Sequence, residues 1–119
     1  KHRVFDIPDS VFEAVHDGMQ MVVERGTGVN AKVPGINICG KTGTVQNPHG
    51  EDHSVFFAFA PMHKPKIAVA VFVENAGWGG TWAAPITSLI IEKYLKGKVS
   101  DPDKEKRIIE AQIAYKSNN

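Results

Sequence analysis

The sequence predicts an α+β fold, an antiparallel meander of three strands flanked by helices. Three observations carry that prediction. Two segments repeat apolar residues at helical spacing, two are apolar on both faces of a strand, and the strands are joined by short turns.

Taken in order, residues 1–8 end in Pro8 and read as an extended lead-in. Asp9 and Ser10 offer an N-cap, and Ser10 with Glu13 has capping-box spacing. Val11, Val15, Met19, Val22 and Val23 then fall on one face, which predicts a helix over 10–25 that Gly26 ends. GTGVNAKVPG at 26–35 is a loop by composition. From 36 to 45 the chain alternates. Ile36, Ile38, Gly40, Thr42 and Thr44 lie on one side, and Asn37, Cys39, Lys41, Gly43 and Val45 on the other. This is a predicted strand with two glycines where something must come close.

QNPHGED at 46–52 is a turn region. The runs 54–60 (SVFFAFA) and 66–74 (KIAVAVFVE) are predicted strands apolar on both faces, so helices are expected over both faces of the sheet. PMHKP between them is short enough for a hairpin. NAGWGG at 75–80 breaks the last strand. Thr81 is the expected cap of a helix reaching Lys96, with Pro85 in its first turn, Gly97 as its stop, and Trp82, Ile86, Leu89, Ile90 and Leu95 as its buried stripe. Asp101–Pro102 opens a short charged helix anchored by Ile108, Ile109 and Ile113. Residues 1–97 therefore read as one unit and 98–119 as a charged, partly helical tail. Three strands are few for two apolar faces, so part of the sheet is expected to lie elsewhere.

Composition narrows the partners. Of 119 residues, 42% are hydrophobic and 23% charged, which allows a packed core. A net charge of +1 gives no electrostatic case for nucleic acid or for an anionic membrane surface. The single cysteine, Cys39, forms no internal disulfide. No stretch approaches the roughly 18 apolar residues of a spanning helix, and no leader is visible. The chain begins at Lys1, so an excised piece of a longer protein is expected, with any targeting signal upstream.

The chemistry concentrates at Gly40-Lys41-Thr42-Gly43-Thr44. Residues 35–42 match the phosphate-binding pattern G-x-x-x-x-G-K-[ST] letter for letter. That motif must open a helix whose amides hold phosphate, whereas GTVQNPHG follows here. The competing pattern is the K-T-G box of penicillin-recognising serine enzymes, which belongs on a strand. There a lysine stabilises a substrate carboxylate and steers protons near a serine. Alternation puts the hydroxyls of Thr42 and Thr44 on one side, where both can donate to one carboxylate. Gly43 leaves room for a substrate backbone along the strand.

With ICGKTGTVQNP, DHSVFFAFAP and KIAVAVFVENAGWGGTWAAPI in sequence, residues 9 to 97 resemble the transpeptidase domain of the penicillin-binding protein 2 class. The resemblance implies the penicillin-binding protein transpeptidase and serine β-lactamase-like fold, with these strands the last three of five. It implies that Lys41 is the K-T-G lysine, that Thr42, Gly43 and Thr44 bind substrate, and that the backbone N–H of Thr44 is an oxyanion donor. The implied ligands are peptidoglycan stem peptides and β-lactams, with no metal or other cofactor. The implied location is the periplasmic face of the inner membrane, with the anchor upstream. No serine in the sequence has lysine three positions later, so the nucleophile is expected upstream with S-x-x-K and S-x-N, and the chain alone is expected to be inactive. Ser117-Asn118-Asn119 spells S-x-N but follows the box instead of preceding it.

Plainer readings stand beside these. His49, Glu51, Asp52 and His53 read as a polar turn before a metal site, because no distant ligand is marked. His2, His16 and His63 read as surface residues, Cys39 as a small core residue, and Trp78 as either rim or packing. The rival functions are a β-lactamase or β-lactam sensor of the same fold, a nucleotide-binding module, and a non-catalytic packing unit. The apolar strand 66–74 has no charge or proline to guard its edge, so self-association through it is expected.

Overall fold

The structure is a computed structural model and describes residues 6–111. Helix α1 (Asp9–Arg25) leads through a 3₁₀ turn (Val29–Ala31) to strand β1 (Cys39–Val45). Strands β2 (His53–Ala60) and β3 (Ile67–Val73) follow, then helices α2 (Ala83–Lys96) and α3 (Pro102–Glu110). Among the described residues the sheet is antiparallel throughout, in the order β1-β2-β3, so both β1 and β3 are its edges.

Register assigns every strand residue to a face. Gly40, Thr42 and Thr44 stand beside Ala58, Phe56 and Ser54, which stand beside Val69, Val71 and Val73. This inner face carries the core with Phe56 at its centre, joined by Ile38, Val23, Ala83, Ala84 and Ile91. The outer face holds Cys39, Lys41, Gly43 and Val45 beside Phe59, Phe57, Val55 and His53. Helix α2 covers the inner face. Helix α1 lies along β1 and reaches the outer face at its Cys39 end, where the His16 ring meets Phe59 edge-on at 4.9 Å. Beyond that end, Phe57 and Phe72 remain exposed among the described residues; of the two faces only the inner one is covered, and there Val69, Val71 and Val73 of β3 are partly buried.

Several expectations need correction. The first strand begins at Cys39, not Ile36, because Val33 and Ile36 bridge each other across a tight Pro34-Gly35 turn. Helix α1 is capped by Pro8 with no side-chain bond, so the Ser10–Glu13 capping box does not form. Of its expected stripe only Val23 is fully buried, while Val11 and Val15 stand about half exposed. A 17-residue helix is about 26 Å long and overreaches a narrow three-stranded sheet. His16, expected at the surface, is half-buried against Phe59.

Thr81 does not cap α2. The Ala83 N–H instead donates to Ser54 Oγ of β2 at 3.2 Å, and Ser54 donates to the Trp78 carbonyl at 3.0 Å. The buried side of α2 is also rotated from the expected stripe. It consists of Ala83, Ala84, Pro85, Thr87, Ser88, Ile91 and Glu92, while Ile90 is exposed. Small side chains let the helix approach the bulky Phe56, and their hydroxyls bond back to its own carbonyls, Thr87 to Ala83 and Ser88 to Pro85. Ile113 and the Ser117–Asn119 triplet lie outside the described residues.

Candidate active site

The K-T-G box occupies β1, the open edge of the sheet. A strand forms because Thr42, Thr44 and Val45 are β-branched and the segment pairs with β2 along its whole length. The turn after β1 is built around Asn47 and opens no helix, which removes the phosphate-loop reading.

Pairing sets the geometry. Lys41 lies opposite Phe57 on the outer face, is exposed, and donates to the Thr42 carbonyl at 2.9 Å. Thr42 and Thr44 lie opposite Phe56 and Ser54 on the inner face, Thr42 half-buried and Thr44 exposed. An extended ligand along this edge is therefore flanked by an ammonium on one side and two hydroxyls on the other. Gly43 sits between, opposite Val55.

The strand is backed by the loop 75–82. A Cβ on Gly79 would run into the carbonyl oxygens of Gly43 and Val55, and one on Gly80 into the Thr27 carbonyl. Only glycine permits this backbone-to-backbone approach. Asn30 Nδ2 donates to the Gly80 carbonyl at 2.8 Å, and Thr27 Oγ1 lies 2.8 Å from Thr42 Oγ1. Thr27, Asn30, Ser54 and Gly79 were not singled out from the sequence. The Gly79-Gly80 pair carried a signal of close approach. Thr27 carried none, since its partner is 15 positions away.

The polar turn accounts for its own residues. The Asn47 N–H donates to Asp52 Oδ1 at 3.1 Å, the Asn75 N–H to His53 Nδ1 at 3.0 Å, and the Gly77 N–H to the Asp52 carbonyl at 2.7 Å. Among the described residues no three metal-type side chains converge. Cys39 is buried next to the box on the outer face, and its thiol donates to the His16 carbonyl at 3.4 Å. Burial, and then the nearby Asp17 charge, push this thiol above its ordinary value. Trp78 stands 78% exposed, which places its indole in solvent and leaves only its backbone in the packing.

Comparison with known proteins agrees with this architecture. Residues 1–92 match the model of the penicillin binding protein transpeptidase domain. Peptidoglycan D,D-transpeptidase PbpA of Mycobacterium tuberculosis is 44% identical over 77 residues, covering 56% of this chain and 15% of that protein. Peptidoglycan D,D-transpeptidase MrdA of Haemophilus influenzae is 32% identical over 113 residues, covering 80% of this chain and 17% of that protein. The structure of Pseudomonas aeruginosa PBP2 in complex with WCK 5153 superposes with a TM-score of 0.69 at 39% identity, covering 80% of this chain and 22% of that one. The penicillin G acyl-enzyme complex of penicillin-binding protein A from Mycobacterium tuberculosis gives 0.63 at 35%, covering 75% and 21%.

An antiparallel sheet with helices packed on it, matched over residues 1–92 by the transpeptidase-domain model, defines the class as that of penicillin-binding transpeptidase domains. The chain belongs to the penicillin-binding protein transpeptidase domain family and spans about a sixth of the length of the curated relatives it matches.

Proposed function

We propose that this chain supplies the K-T-G wall of a peptidoglycan D,D-transpeptidase that works through an acyl-serine intermediate. The nucleophilic serine and its lysine, in S-x-x-K, and an S-x-N element come from outside these 119 residues. The observation that carries the reading is the placement of Lys41 across the open β1 edge from Thr42 and Thr44. The names of the relatives support it, as does the penicillin G acyl-enzyme among the structural neighbours.

Each residue then has a role. Thr42 and Thr44 donate hydroxyl protons to the carboxylate of a stem peptide or β-lactam. Lys41 adds positive charge and steers protons near the serine. Gly43 admits the substrate backbone, and the Thr44 N–H is one of the two donors that stabilise the tetrahedral oxyanion. The complete protein acts at the periplasmic face of the inner membrane, with its anchor outside this chain. No cofactor enters the reaction.

Labelled penicillin tests the reading in the complete protein. Lys41→Ala is expected to nearly abolish acylation while the thermal transition stays in place. Thr44→Val should slow acylation about tenfold to a hundredfold, the worth of one charge-assisted hydrogen bond. The isolated chain should take up no label. Wild-type acylation by Lys41→Ala, or a stoichiometric boil-resistant label on any serine of the isolated chain, overturns the assignment.

A further inference from the structure

Thr27 stands outside the K-T-G box, yet its hydroxyl meets that of Thr42 at 2.8 Å. Each hydroxyl has one proton, so only one of the two donates across this contact at a time. If Thr42 donates to Thr27, it offers an arriving anion nothing but lone pairs. If Thr27 donates, the Thr42 proton is free to point toward the β1 edge. An anion at that edge selects the second arrangement, and a hydroxyl that already accepts a hydrogen bond is the stronger donor.

The position of Thr27 is fixed from several directions. It follows α1 inside a turn in which the Gly26 and Gly28 N–H groups both donate to the Val22 carbonyl, at 3.1 and 3.0 Å. Its own carbonyl lies against Gly80, which leaves no space for a Cβ there. Gly80 is held in turn by Asn30. The Thr27 hydroxyl is thus aimed by backbone on both sides.

We propose that Thr27 is a positioning residue for anion recognition. It donates to Thr42 Oγ1 and commits the only Thr42 hydroxyl proton to the carboxylate of a ligand lying on β1. The inference rests on the role given to Thr42 above.

The test uses the complete transpeptidase and compares second-order acylation by a penicillin with its free carboxylate and by the methyl ester of the same penicillin. Thr27→Val is expected to slow acylation by the free acid about threefold to tenfold, the worth of one neutral hydrogen bond. The ester rate should hardly move, and Thr27→Ser should restore the free-acid rate. In a Thr42→Val background, Thr27→Val should cost nothing further. If Thr27→Val fails to fold, Thr27→Ala deletes the same hydroxyl with less bulk. Equal losses for acid and ester, additive losses with Thr42→Val, or no loss at all would overturn the positioning role. A Thr42→Val protein that acylates the free acid normally would instead overturn the function proposed for Thr42.

Discussion

Gly79 is the position where one added methyl group has the longest reach. A Cβ there meets the Gly43 and Val55 carbonyl oxygens, both backbone atoms that have nowhere to go. Gly79→Ala should therefore cost about 1–3 kcal/mol, as overpacking does, and should displace the K-T-G strand at Gly43. Thermal unfolding together with amide shifts at Gly43 and Thr44 checks this, and an unperturbed Gly43 amide would contradict it. Cys39 leads to the opposite kind of expectation. Burial and Asp17 hold its pKa above the ordinary value, so at neutral pH its thiolate is scarcer than that of a free cysteine. A thiol reagent should label it only after denaturant is added, and fast labelling of the native protein would contradict the assignment. The face of Cys39 was readable from alternation, but its burial comes from α1 crossing that end of the strand at His16. Thr27 was not, because its meaning lies in a partner across a loop, and periodicity reports only local geometry.

At the level of elements, α3 shows how far local signals carry. Its start was legible: Asp101 Oδ1 accepts the Lys104 N–H at 2.9 Å, with proline in the first turn. Its anchoring was legible only in part. Of the expected anchors Ile108 is half-buried, but Ile109 is 76% exposed, and cations supply the further contacts. Arg107 lies 5.2 Å over the Trp82 ring and donates to the Thr81 carbonyl, while Lys104 reaches Ser88 and the Lys32 carbonyl. For the same reason the buried side of α2 was misread, since Thr87, Ser88 and Glu92 look like surface residues until the rest of the fold covers them.

Glu92 connects α2 to the segment before α3. Ser100 donates to it from its N–H at 3.2 Å and from its hydroxyl at 2.5 Å, and Lys96 lies 3.7 Å away. Burial works against the charge, but these partners outweigh it and hold the carboxyl below its ordinary value. A lowered folded value means the stabilisation is complete above the ordinary glutamate range, about 4.3, and disappears as pH falls through the lower folded value. Trp82 fluorescence in a Trp78→Phe background should therefore report tail undocking in acid and a docked tail at neutral pH. Glu92→Gln should weaken docking at pH 7 and flatten the acid transition. An acid transition unchanged in Glu92→Gln would assign it to another group.

For the molecule as a whole, the open edges matter most. Strand β3 presents Ile-Ala-Val-Ala-Val-Phe-Val with no charge or proline to deter pairing, and Phe57 and Phe72 lie exposed on the adjoining outer face. In isolation the chain should associate through this edge. Sedimentation at several concentrations checks it, and a concentration-independent monomer with protected β3 amides would refute it. The sequence announced this situation, because two strands apolar on both faces call for more cover than its own helices provide. Which face would be covered was not legible, since that depends on where α1 and α2 land.

The order β1-β2-β3 follows the chain, so each strand pairs with the one made just before it. The contacts of the loop 75–82 are different in kind, since Asn30 and Gly80 are 50 positions apart. Closing a short loop costs less entropy and happens sooner, so the meander can assemble while the glycine pair is still unplaced. The K-T-G strand would then exist before its backing does. Substitutions in the loop should accordingly speed unfolding and barely change the folding rate, whereas substitutions at Phe56 should slow folding. The backing of the β1 edge, not the edge itself, is then the part of this fold built last and lost first.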